Sequence, residues 1–565
     1  MSQSNTQKFR EARDYLLKNR LDYNKVIKEF KWPAFDDFNW ARDWFDVYAG
    51  ETNKTALWIK RDGESDSKLT YAELSERSNK LSSYLQKIGV QKGDRIIVLL
   101  PNIVATWEMT LAAIKIGAVL VPTSVLATKG EITDRISRCH AKFLVTEASC
   151  MDKISDEFVI TKILVGPPVR GWLSYEDAYS EKNNYNIITT KATDPLLLYF
   201  TSGTTSKAKL VQHTHQSYPV GHFSSMYWIG IQENDIHQNI SSPGWAKHAW
   251  SSFFAPFNAG ATNFVHDYAR FDAKTTINYL SECKVNTLCA PPTVWRMLIL
   301  EELGKVPSAL REAASAGEPL NPEVIEEIQA AWGITIRDGY GQSETTAQIG
   351  NTPGQFIKLG SMGRPLPGYS IALLDADYNE VKDGEVAIRL AANPIALMDG
   401  YMDDMEKTKE VMRNGYYRTG DEATMDKDGY IFFVGRGDDV FKSSDYRISP
   451  FELESVLIEH PYVAEAAVVP SPDDLRTNLP KAFIALVPGV EMTKEVAEEI
   501  LLYAKEHLPP YKRIRKVEFT VLPKTISGKI RRVELRNLEK DRIKQGLRGE
   551  NEYFLSDFTR REIKE

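Results

Sequence analysis

The sequence predicts an α/β protein: a large N-terminal domain of α/β layers with mixed sheets, and a smaller α+β C-terminal domain. Three observations carry that reading. Short runs of aliphatic and β-branched residues alternate with longer stretches of helical period, as parallel strands joined by helices do. At 565 residues the chain is longer than one hydrophobic core sustains. Near residue 437 the texture shifts to a charged stretch, Gly435-Arg-Gly-Asp-Asp-Val-Phe-Lys442, followed by a shorter α+β pattern. The expected domains are therefore 1–437 and 438–565.

Ile96–Leu100, Val119–Val121, Phe143–Val145, Lys162–Val165 and Leu196–Phe200 read as strands, mostly buried on both faces. Tyr71–Ile88 and Trp107–Ile116 read as the helices between them, and strands recur at Thr262–Val265 and Thr287–Cys289. Beyond the boundary, strands are expected at Ala464–Val469, Ala482–Val487 and Lys516–Val521, with a helix near Thr493–His507.

Composition narrows the function classes. Hydrophobic residues make up 42% and charged residues 26%, ordinary for a globular protein, and the net charge of −7 argues against a general nucleic-acid binder. Cys139, Cys150, Cys283 and Cys289 are scattered, without a CxxC pair, which disfavours zinc and disulfide frameworks alike. Residues 1–31 mix acids and bases with no apolar core, unlike a secretory signal or an acid-poor transit peptide. The apolar stretch Ile96–Val121 contains Pro101, Asn102, Glu108, Lys115 and Gly117, so it reads as strand, helix and strand rather than a membrane span. A cytoplasmic protein without an integral membrane segment is expected.

Four segments carry chemistry. A buried strand runs into Thr201-Ser-Gly-Thr-Thr-Ser-Lys-Ala-Lys209, whose five hydroxyls, one glycine and two lysines suit phosphate oxygens. It is not a Walker loop, and a solvated turn is the plain alternative. Arg337-Asp-Gly-Tyr-Gly-Gln-Ser-Glu-Thr345, preceded by Ala316-Gly-Glu-Pro319, offers an aromatic face in Tyr340, a hydroxyl in Ser343 and a carboxylate suited to Mg²⁺ in Glu344. Tyr416-Tyr-Arg-Thr-Gly-Asp421 and Phe433-Val-Gly-Arg436 supply an acid for ribose hydroxyls and a base beside it. Leu522-Pro-Lys-Thr-Ile-Ser-Gly-Lys-Ile530 puts Lys529 in a loop, where a long ammonium side chain can reach another domain's cleft.

In this order the four segments resemble the adenylate-forming superfamily, which includes acyl-CoA synthetases, firefly luciferases and peptide-synthetase adenylation domains. The resemblance covers nearly the whole chain. Phe9-Arg-Glu-Ala-Arg-Asp-Tyr15, Ser217-Tyr-Pro-Val-Gly-His222, Cys289-Ala-Pro-Pro-Thr293 and Ala316-Gly-Glu-Pro-Leu-Asn-Pro322 look most like medium-chain acyl-CoA synthetases of fatty acid metabolism.

The resemblance implies two half-reactions: a carboxylate attacks the α-phosphorus of ATP to give acyl-AMP and pyrophosphate, then the thiol of coenzyme A displaces AMP. The carboxylate would be medium-chain, branched or aromatic. ATP-binding residues would be Thr201, Ser202, Gly203, Thr204, Thr205, Ser206 and Lys209 on the β- and γ-phosphates, Gly317, Glu318, Pro319 and Tyr340 at the adenine, Asp421, Arg436 and Arg447 at ribose and phosphate, and Asp338. Glu344 would hold Mg²⁺, Ser343 would meet the α-phosphate, and Lys529 would bridge carboxylate and α-phosphate. Asp438 falls at the hinge position. Trp245, Ala246, Lys247 and Gly341 would line the acyl pocket, glycine leaving room where acetate-specific relatives have tryptophan. Ser444, Asp445 and Tyr446 would line the thiol channel.

Two places depart from the family pattern. The phosphate loop lacks the usual glycine and proline at Ser206 and Ala208, which predicts weaker ATP binding or slower closure. Asp445 stands where the family has a glycine beside the pantetheine arm, adding bulk and charge. Two alternatives to coenzyme A transfer therefore stay open. One is an adenylate former that passes the acyl group to a carrier protein or another nucleophile; the other is a non-catalytic binding subunit.

Overall fold

The computed structural model describes residues 3–155, 157–201, 208–268, 270–444, 446–473, 476–525 and 529–558. The chain forms two compact units. The first comprises Met1–Ala372, Ala387–Arg418 and Asp426–Ile431; the second comprises Leu373–Val386, Thr419–Met425 and Phe432–Glu565.

Two large sheets build the first unit. One has eight strands, ordered Gly400–Tyr401, Lys209–Thr214, Pro195–Thr201, Val119–Pro122, Arg95–Leu99, Phe143–Glu147, Thr161–Val165 and Leu173–Ser174. Its interior pairings are parallel, as the buried aliphatic runs require, and the hairpin Pro195–Thr201/Lys209–Thr214 adds an antiparallel edge. Ile97, Leu99, Val121, Leu144 and Leu198 pack with Ile132 and Ile136 of the helix Lys129–Cys139 in one buried cluster.

The second sheet has nine strands. Its parallel centre runs Ile336–Gly341, Glu312–Ala316, Thr287–Ala290, Ile236–Asn239 and Thr262–Asp267. Leu288, Ala313 and Ile336 from it bury against Trp295, Ile325 and Ile328 of the helices Pro292–Ile299 and Pro322–Trp332. The expected elements are present, with shifts at their ends. The helix expected from Trp107 starts at Val104, where Ile103 caps it without a side-chain hydrogen bond, so no polar cap marks its start. The helix at Tyr71–Lys87, by contrast, opens on a capping box of Thr70 and Glu73.

In the second unit, a sheet of Val463–Asp473, Thr477–Leu486, Lys516–Phe519 and Glu552–Phe554 stacks on the helices Pro450–Ile458 and Lys494–His507. Its buried ion cluster did not show in the sequence. The Lys481 ammonium lies 2.8 Å from Glu518, 2.5 Å from Glu539 and 2.8 Å from Glu552, all buried. Among the described residues, no helix is long and apolar enough to cross a membrane, and all four cysteines are free and buried.

Candidate active site

The hairpin that carries the hydroxyl-rich loop sets Thr201 opposite Lys209 as a cross-strand pair, so both ends of the loop are fixed by sheet pairing. Ser202, Gly203, Thr204, Thr205 and Ser206 lie outside the described residues, as does Asp445.

Lys209 anchors a small polar triangle. Its ammonium donates to the Tyr401 hydroxyl at 3.3 Å and lies 3.9 Å from Glu344 Oε1, while the Tyr401 hydroxyl donates to that same oxygen at 2.9 Å. The Tyr401 backbone pairs with Val211 on the same hairpin strand, which explains the proximity. Glu344 is 8% exposed, so among the described residues its carboxylate meets one cation and one phenol, away from bulk water. This donor set fits a hydrated Mg²⁺ that is otherwise held by substrate phosphates.

The backbone beside Glu344 is pinned from behind. The His213 ring accepts from Ser217 through Nδ1 (3.1 Å) and donates from Nε2 to the Ser343 carbonyl at 2.7 Å. Burial pushes the His213 pKa down to about 4, so the ring stays neutral and holds one tautomer. Neither His213 nor Tyr401 stood out in the sequence. Each contacts a motif residue only through the fold.

The Gly339-Tyr-Gly341 spacing has a packing reason. A Cβ at Gly339 would sit 2.3 Å from the Trp228 indole, and one at Gly341 would sit 2.5 Å from Trp250 Cη2 and 2.2 Å from the Thr346 carbonyl oxygen. The glycine at 341 was expected to leave room for an acyl chain. The Trp250 indole borders the space beside this glycine. Trp250 starts a π-helical turn, Trp250–Phe254, and its Nε1 donates to the Tyr218 hydroxyl at 3.0 Å.

Asp338 is buried on the same strand and accepts the Gly339 N–H at 2.9 Å and the Leu320 N–H at 3.4 Å. Burial raises its pKa to about 8, against the pull of those N–H groups and of Lys247. Lys247, expected in the acyl pocket, instead donates to the Ala316 carbonyl at 3.0 Å, next to Gly317, Glu318 and Pro319. Its position is thus on the predicted adenine segment. Gly317 has φ +109°, a conformation that glycine adopts without strain.

A cavity of about 40 Å³ opens beyond the Gly244-Trp245 corner, lined by Thr106, Trp107, Tyr199, Trp245, His248 and Phe254 among others. Trp245 is the one expected pocket residue on this wall; Ala246, Lys247 and Gly341 are not. His248 is buried, its Nε2 3.0 Å from Asn102 Oδ1, and burial pushes its pKa down to about 3.

In the second unit, Arg436 Nη1 lies 3.4 Å from the buried Asp421 carboxylate, and the Gly437 N–H donates to the Gly420 carbonyl at 2.8 Å. The two expected ribose residues are therefore neighbours. Arg436 Nε also lies 3.6 Å from Asp438. Arg447, expected on phosphate, spans Asp383 and Glu422 at 2.7 Å each, so reaching a phosphate requires releasing both carboxylates. Ser444 adopts φ +53°, and the exposed Tyr446 ring stacks on Tyr511 at 4.4 Å. Lys529 sits at a hairpin end, where its N–H meets the Thr525 hydroxyl and its carbonyl accepts the Thr525 N–H; the side chain is exposed.

Known proteins resemble this chain over most of its length. Residues 45–402 match the family model described as AMP-binding enzyme, and residues 452–529 match that of the AMP-binding enzyme C-terminal domain. The chain is 45% identical to 4-hydroxybutyrate–CoA ligase 1 of Metallosphaera sedula, over 95% of this chain and 96% of that protein. It is 39% identical to the mitochondrial acyl-coenzyme A synthetase ACSM4 of Rattus norvegicus, over 92% and 93%. Among solved structures, an anthranilate CoA ligase, AuaEII, in complex with anthranoyl-AMP superposes with TM-score 0.80 at 27% identity, covering 90% of this chain and 98% of that one. A Brucella canis acyl-CoA synthetase superposes with TM-score 0.70 at 33% identity, covering 94% and 99%.

Proposed function

We propose a division of labour among the site residues from the premise that this chain belongs to the AMP-binding enzyme family. It is an AMP-forming acid–thiol ligase that uses ATP, Mg²⁺ and coenzyme A to convert a carboxylate to acyl-AMP and then to acyl-CoA. The observation that carries the proposal is the Lys209–Tyr401–Glu344 triangle at the end of the loop-bearing hairpin.

In the first half-reaction a carboxylate oxygen bonds to the α-phosphorus as the bond to pyrophosphate breaks. Two anions must meet, so the barrier falls when fixed cations and N–H donors face the charge. Lys209 serves the phosphates, and Glu344, held by Tyr401, serves Mg²⁺, which neutralises phosphate charge when bound. His213 keeps the Ser343 backbone in place, and Lys529 supplies the mobile cation between carboxylate and α-phosphate. In the second half-reaction the thiol sulfur bonds to the acyl carbon, AMP departs and the thiol proton is lost. A domain boundary at 437/438, with Asp438 as hinge, would let Lys529 serve only the first step. The cavity beside Trp245 takes the far end of the acyl tail. The four buried free thiols support a reducing, cytoplasmic location, which cell fractionation tests.

A panel of carboxylates incubated with ATP, with and without coenzyme A, tests the reading. AMP release that depends on both the acid and coenzyme A is expected. Pyrophosphate exchange without coenzyme A consumption would instead select a carrier protein or another acceptor, the reading that Asp445 motivates. Nucleotide binding with neither activity would select a binding subunit.

A further inference from the structure

The cavity beside Trp245 is apolar apart from a few polar atoms, and their hydrogen bonds define what can enter. Asn102 donates its Nδ2 to the Ser241 carbonyl at 3.4 Å, which turns its Oδ1 toward His248. An amide oxygen only accepts, so His248 Nε2 must carry the proton. With the ring held neutral by burial, Nδ1 is a bare acceptor. No described residue donates to it.

The two threonines on the wall have spent their protons elsewhere. Thr106 donates to the Pro101 carbonyl at 2.6 Å and Thr110 to the Thr106 carbonyl at 2.7 Å. Their oxygens, like His248 Nδ1, can only accept. A ligand group that satisfies these atoms must donate a hydrogen bond. An ammonium would be desolvated there without a counter-charge, and a second carboxylate would bring no proton to His248 Nδ1 or to the two threonine oxygens. A neutral hydroxyl meets both conditions.

We propose that His248, oriented by Asn102, is a specificity residue that accepts a hydrogen bond from a hydroxyl at the far end of the acyl substrate. The inference rests on the reading that this cavity holds the acyl tail. Its volume of about 40 Å³ takes about three water-sized groups, so it receives the last carbons and the hydroxyl. The Metallosphaera relative, whose name specifies 4-hydroxybutyrate, has the matching chemistry.

The test compares ω-hydroxy acids with their unsubstituted partners, 4-hydroxybutyrate with butyrate and 6-hydroxyhexanoate with hexanoate, by CoA-dependent AMP release. For at least one pair, the native enzyme should favour the hydroxy acid about tenfold or more in kcat/KM, because a buried acceptor is left unpaired by the other acid. His248→Phe, which keeps a planar ring without the acceptor, should bring that ratio to about one. His248→Asn, whose amide oxygen takes the place of Nδ1, should restore part of the preference. A native preference for the unsubstituted acid in both pairs, or a ratio that His248→Phe leaves unchanged, overturns the inference and leaves the activation reading standing. If the native enzyme activates no carboxylate at all, both fall.

Discussion

Asp338→Asn tests whether the predicted ATP site carries a neutral acid. Burial lifts the Asp338 pKa to about 8, whereas the unfolded chain releases that proton near pH 4. Between these values the folded protein holds a proton that the unfolded one has lost. The stabilising contribution of this group is therefore complete below about pH 4 and is lost as pH rises toward 8. The loss is about 1.4 kcal/mol per pH unit, or about 3 kcal/mol from pH 5 to pH 7. Asparagine has the same shape and no such proton. For a unit of about 400 residues, an unfolding entropy near 2 cal/mol/K per residue converts that difference to about 3 °C. Thermal unfolding of both proteins, followed by tryptophan fluorescence at pH 5, 6 and 7, reads it directly. The Tm of Asp338→Asn should gain on that of the native protein by about 3 °C from pH 5 to pH 7. A constant gap across that range would refute the reasoning and return Asp338 to an ordinary carboxylate.

Three further outcomes follow from particular contacts. Gly341→Ala drives a Cβ into Trp250 and the Thr346 carbonyl, which should cost about 1–3 kcal/mol by overpacking; Trp250→Phe in the same chain should recover part of the lost Tm. Tyr401→Phe removes the donor to the buried Glu344 carboxylate, a loss of about 1–3 kcal/mol in a charged hydrogen bond, so ATP–pyrophosphate exchange should fall roughly tenfold or more while the fold persists by circular dichroism. Lys481→Met leaves Glu518, Glu539 and Glu552 crowded around an uncharged side chain. About 3–5 kcal/mol should be lost, seen as early unfolding in urea.

Much of the fold was legible because its signals are local. Buried aliphatic runs at Arg95–Leu99, Val119–Pro122 and Pro195–Thr201 announce parallel strands, and the Thr70/Glu73 box announces a helix. The helix start at Val104 was hidden because nothing polar caps it. Motif residues such as Glu344, Asp421 and Arg436 could be named from their segments, and the structure makes Asp421 and Arg436 neighbours. Their supports could not be named. Tyr401 reaches Glu344 from 57 residues away, and His213 reaches Ser343 from 130 away. The Trp250 indole beside Gly341 was hidden for a similar reason: it arrives through a π-helical turn that no periodicity encodes.

Activation of the carboxylate as acyl-AMP is proposed to need Lys529, and transfer of the acyl group to proceed without it. Single-turnover assays of Lys529→Ala measure the two halves separately. Acyl-AMP formation from ATP should fall by two orders of magnitude or more, as loss of a fixed charge at the reacting phosphate implies, while supplied acyl-AMP still yields acyl-CoA at close to the native rate. Equal loss in both halves, or full adenylation without Lys529, would contradict it.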